Sequence, residues 1–81
     1  MVREIMMRMK PLLEERLKAN VFLKAGNDDT IIVYLYFVDM PRLVLTIYEV
    51  SERILMGNTS EDFVALVVHQ TTRIIMGKFL K

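Results

Sequence analysis

The chain has 81 residues, 53% of them apolar, with a formal net charge of +1, no cysteine and a single histidine. Disulfides, thiolate metal sites and a histidine-rich metal centre are therefore excluded. So short a chain makes one domain, and a domain of this size hides only about 60% of its unfolded surface. The apolar excess therefore implies that a second subunit or a partner covers part of it.

No membrane span is expected. The longest charge-free runs, Thr30 to Val38 and Phe63 to Thr72, are about half of the ~20 residues that a crossing helix needs. The opening "MVREIMMRMK" is charged throughout and has no apolar core of the kind a secretory signal carries. A cytoplasmic location is the default expectation, and a chain without cysteine fits a reducing compartment.

Residues 2–19 predict a helix. Val2, Ile5, Met6, Met9, Leu12, Leu13 and Leu17 recur at helical spacing among good helix formers. Pro11 interrupts the pattern, so either the helix kinks near Met7 or it begins at Pro11, with Asn20 as its stop. Met1, Met6, Met7 and Met9 crowd this segment, and Met7 falls off the main stripe. Methionine-rich faces suit adaptable binding surfaces.

"VFLKA" (21–25) and "TIIVYLYFV" (30–38) predict two strands. The intervening "GNDD" raises the question of a metal site. Adjacent aspartates point to opposite sides of an extended chain, and a calcium loop needs carboxylates at alternate positions. Glycine, asparagine and aspartate are also turn residues, so Asp28-Asp29 reads as the turn of a β-hairpin.

Residues 40–57 fit two readings. As a helix, Asp39 caps it, Pro41 lies in its first turn, Gly57 closes it, and Leu43, Ile47, Val50 and Ile54 form one stripe. As a strand, "RLVLTIYEV" is equally rich in β-formers, with "SERILMGN" helical in either case. An isolated six-residue helix is poor, which favours the longer helix. Residues 60–80 predict the last helix, capped by Thr59 or Ser60, with Glu61 and Asp62 at its positive end and Arg73, Lys78 and Lys81 at its negative end.

The expected fold is therefore a small single α+β domain over residues 1–81, α-β-β-α-α, with an antiparallel hairpin covered by helices. The alternative order is α-β-β-β-α, which on fold analogy alone occurs in some small RNA-binding proteins.

Chemistry-bearing motifs are few. Gly26, Gly57 and Gly77 are isolated and form no phosphate loop. His69 shares a helix side with Thr72 and Arg73 but has no serine nearby, and Glu14-Glu15, Asp28-Asp29 and Glu61-Asp62 each have an ordinary structural place. No enzyme, catalytic residue, metal or cofactor is expected. An undetected activity would need a pocket around His69.

Two binding surfaces are candidates. On the last helix Phe63, Val64, Val67, Val68, Ile74, Ile75 and Phe79 form an apolar face wide enough for more than one neighbour. This face or the hairpin edge would join two copies. The leading expectation is thus a non-catalytic interaction or assembly protein, homodimeric, with a protein partner as a further option. Charge suggests the alternative, because residues 1–24 carry +3, residues 25–62 carry −5 and residues 63–81 carry +3. Arg3, Arg8, Lys10, Arg73, Lys78 and Lys81 on these basic ends would then serve a small nucleic-acid-binding regulator.

Overall fold

A computed structural model describes residues 2–79. Lys81 and the side chains of Lys78 and Phe79 lie outside the described residues. The order is α1 (Val2–Leu17), β1 (Asn20–Ala25), β2 (Ile31–Tyr36), β3 (Leu43–Ile47), α2 (Val50–Leu55) and α3 (Ser60–Phe79). The three strands form one antiparallel sheet with β2 in the centre. This is an α+β domain.

Helix α1 runs through Pro11 without interruption. The proline cannot donate to the Met7 carbonyl, but Met7 and Pro11 are both exposed, so water can take that acceptor. The helix stops at Leu17, three residues before Asn20. Lys18 turns into the left-handed region (φ 52) and its amide still reaches the Glu14 carbonyl at 3.0 Å. The chain then enters β1.

The hairpin forms as its turn residues predict. Asp28 and Asp29 both adopt positive φ, at 55 and 57, which aspartate tolerates better than most residues. The Gly26 amide donates to the Thr30 carbonyl at 2.9 Å, and the Thr30 hydroxyl donates to the Asn27 carbonyl at 2.8 Å. The two aspartates are the turn.

The long helix expected over 40–57 does not form. Leu43–Ile47 is a strand paired to β2 with Leu43 opposite Leu35, Leu45 opposite Val33 and Ile47 opposite Ile31. Leu43 and Ile47 face inward in either geometry, so the helical stripe and the strand alternation share residues. Pairing with β2 decides between them, because it also buries Leu45. Glu49, at φ 55, breaks the strand, and the Val50 amide then donates to the Asp29 carbonyl at 2.9 Å as α2 begins.

Helix α3 opens with a reciprocal cap at Thr59. The Asp62 carboxylate accepts from the Thr59 amide at 2.6 Å and from its hydroxyl at 2.9 Å, while the Asp62 amide donates back to that hydroxyl at 3.4 Å. These donors hold the Asp62 carboxyl below its ordinary value of 3.8, the backbone bond contributing most.

The core lies between the helices and one face of the sheet. Met9 and Leu13 from α1, Val21, Ile31, Val33, Leu35, Leu43, Leu45 and Ile47 from the sheet, Val50, and Phe63, Val64 and Val67 from α3 form one buried cluster. Among the described residues, no helix is long and apolar enough to cross a membrane.

Candidate functional site

The strands expose a second face that neither long helix covers. Side chains alternate across a strand, so with Val21, Val33 and Leu45 inward, their neighbours Phe22, Tyr34 and Val44 point the other way. The register sets these three side by side, Phe22 opposite Tyr34 and Tyr34 opposite Val44. Lys24, Ile32 and Thr46 form the row on one side of them. Asn20 and Tyr36 form the row on the other, and Arg42 continues β3 one residue past its ladder.

The nine positions make a three-by-three array. Its four corners are Asn20, Lys24, Arg42 and Thr46, all polar. Its centre and arms are Phe22, Ile32, Tyr34, Tyr36 and Val44, all apolar or aromatic. Phe22 is 58% exposed, Val44 47% and Tyr36 43%, and none of the five belongs to the core. A dry centre inside a polar rim is the usual anatomy of a protein interface.

Two aromatic contacts order the array. The Phe22 and Tyr34 rings lie 5.9 Å apart between centroids and tilted by 58°, within the favourable range for aromatic pairs. The Arg42 guanidinium carbon sits 5.5 Å from the Tyr34 ring centroid, close enough for a cation–π contact. Arg42 therefore covers part of Tyr34 while its donors stay exposed.

The residues singled out from the α3 pattern are placed differently. Phe63, Val64 and Val67 are buried in the chain's own core, and Val68 and Ile75 are partly covered against it. These five residues of the face pack against the core of the same chain. Ile74, 37% exposed, is the residue of the set left open among those described.

Nor does α1 bring its basic residues onto one surface. At 100° per residue, Arg3 and Lys10 stand within about 20° of each other on α1, but Arg8 stands about 160° from Lys10. Lys10 lines a groove with Phe22, whereas Arg8 lines a cleft with Ile54 and Ser60. Arg73 is on α3 beside Gln70 and Ile74.

His69 is exposed and borders a shallow hollow with Arg53, Asn58 and Asp62. The nearby Thr72 hydroxyl donates to the Val68 carbonyl at 2.8 Å, so its proton is directed at the helix backbone. Among the described residues, no group of three or more acidic or histidine side chains is placed to hold a metal ion.

Nothing local in the sequence joins Phe22, Ile32 and Val44 into one surface. One signal was available. A sheet with a wet face alternates polar and apolar residues, and near-continuous apolar strands are buried on both faces. "IIVYLY" in β2 has no polar alternate. No known protein family, curated protein or solved structure matches the chain.

Proposed function

We propose that the protein is a non-catalytic assembly module that pairs with a second copy of itself through the open face of its sheet. The observation that carries this reading is the apolar cross of Phe22, Ile32, Tyr34, Tyr36 and Val44 inside polar corners. Two such faces related by a two-fold axis are self-complementary. They would stack about 10 Å apart, as sheets in sandwiches do, with Lys24 and Arg42 at the wet rim. The 53% apolar composition supports the same reading, since it exceeds what so small a domain can hide. A chain without cysteine suits a cytoplasmic setting for such a module.

Size sets the expected strength. Three strands about 4.8 Å apart and five residues at about 3.3 Å each give a footprint of roughly 14 by 17 Å. That is well below the ~800 Å² per partner of a standard tight complex. The dimer should therefore dissociate on dilution into the micromolar range. Sedimentation over a concentration series tests this. Val44→Glu places a charge on the apolar cross, beside Tyr34, without touching the core and should give a folded monomer. A monomeric wild type at millimolar concentration would reject the reading.

A second reading is favoured by one contact. Arg42 held over Tyr34, beside Phe22 and Lys24, also suits stacking of single-stranded nucleic acid. Affinity for a mixed-sequence oligonucleotide that falls steeply with log salt supports it, and no binding at low salt removes it.

A further inference from the structure

Strand β1 is an edge, and its hydrogen-bond parity shows what that edge offers. The Gly26 amide donates to the Thr30 carbonyl, so this pair is bonded. In an antiparallel ladder every second pair is bonded, hence so are Lys24–Ile32, Phe22–Tyr34 and Asn20–Tyr36 in the observed register. The amides and carbonyls of Val21, Leu23 and Ala25 therefore point away from β2. The Val21 amide meets Glu14 Oε2 at 3.5 Å. The outward groups of Leu23 and Ala25 meet no strand.

Helix α1 runs beside this edge and turns it into a groove. Met6, Met7, Lys10 and Pro11 form one wall, and Phe22 and Leu23 form the other, of an open groove of about 350 Å³. Met7 is 71% exposed, so its place off the main helical stripe puts it on the groove rather than in the core. Unbranched methionine side chains adapt to varied occupants. An edge strand and a helix flanking one groove is a geometry that accepts an extended peptide as an added strand.

We propose that this groove binds an extended peptide of another protein, antiparallel to β1, with apolar residues at alternate positions and an acidic residue opposite Lys24. The proposal does not depend on pairing through the open face. Charge selects the acidic residue. Lys10 lines the groove and exposed Lys24 stands on the strand, whereas Glu14 lies at the far end of the edge, on Val21. Cross-strand neighbours of opposite charge attract, and like charges directly opposite repel. The same rule sets an aromatic residue opposite Phe22.

A second copy fits this edge poorly. Its own β1 would stand about 4.8 Å from the first and bring its α1 to the same side of the sheet. Packed helices need about 8–10 Å between axes, and the second α1 would meet the first. A bare peptide strand carries no such helix.

The probe is an acetylated, amidated peptide containing valine–glutamate–valine–tyrosine–valine, titrated into the ¹⁵N-labelled full chain. The Leu23 and Ala25 amides should shift and gain protection from hydrogen exchange, while those of Phe22 and Lys24, already bonded to β2, should keep theirs. A peptide with lysine in place of glutamate should bind several-fold more weakly, and Met7→Glu should weaken binding several-fold in a folded protein. Leu23→Pro removes an outward amide without breaking the β1–β2 ladder and should abolish binding. Four results would overturn the proposal: no shift at millimolar peptide, equal affinity for the lysine peptide, shifts centred on Tyr36 and Val44 instead, or concentration-dependent protection of Leu23 without peptide, which would give the edge to a second copy.

Discussion

Replacing Thr71 by valine should make the protein more stable, against the usual direction of core substitutions. Thr71 is fully buried in α3, and its hydroxyl oxygen has no hydrogen-bond partner. The adjacent Thr72 hydroxyl shows the bond that Thr71 does not make, since it donates to the carbonyl four residues back. A buried polar group left unpaired costs about 1–3 kcal/mol. Valine has nearly the same shape and a similar helix propensity, so Thr71→Val removes that cost and keeps the packing. The expected gain is about 1–2 kcal/mol. For a domain of this size each kcal/mol moves Tm by about 4–8 °C, so a rise of at least about 4 °C is expected by far-UV circular dichroism. Thr71→Ser keeps the hydroxyl and loses a methyl group, which should cost about 1 kcal/mol. The order of stability should be valine, then threonine, then serine, at one protein concentration because self-association adds to apparent stability. A Thr71→Val protein destabilised by 1 kcal/mol or more would mean that the hydroxyl is bonded, and the packing described around α3 would be wrong.

Gly26→Ala should destabilise the hairpin by about 1–2 kcal/mol in urea unfolding, because an added Cβ would fall on the Thr30 hydroxyl oxygen that now donates to Asn27. An unchanged midpoint would show that Thr30 rotates freely. The Asp62 carboxyl has its folded value lowered by the Thr59 bonds. The stability it adds is present above the ordinary carboxylate value and is lost as pH falls through the lowered one. The stability difference between wild type and Asp62→Asn should therefore shrink below about pH 4, and a difference that grows on acidification would contradict the cap.

Much of the fold can be read from the chain where one local pattern stands alone. Val2 to Leu17 has helical spacing, "GNDD" has turn chemistry, and 60–79 has both a cap and a stripe. Residues 43–47 resisted because Leu43 and Ile47 satisfy a helical and a strand period at once. The deciding interaction, pairing with Ile31 to Leu35, is non-local. The same limit applies to function. The width of the α3 face shows how many neighbours Phe63, Val64 and Val67 meet, but not whether they belong to the same chain. Conversely, "IIVYLY" already marks a strand dry on both faces. Only the placement of α1 and α3 on one side shows that Tyr36 is exposed and that Ile32 and Tyr34 are no more than half-covered.

The most direct test of the account is the sedimentation mass of the wild type from micromolar to millimolar concentration, run beside Val44→Glu. The wild-type mass should rise from one chain to two, and Val44→Glu should stay folded at one. A wild type that stays monomeric throughout, or a Val44→Glu protein that dimerises as readily, would contradict the open face of the sheet as the assembly surface.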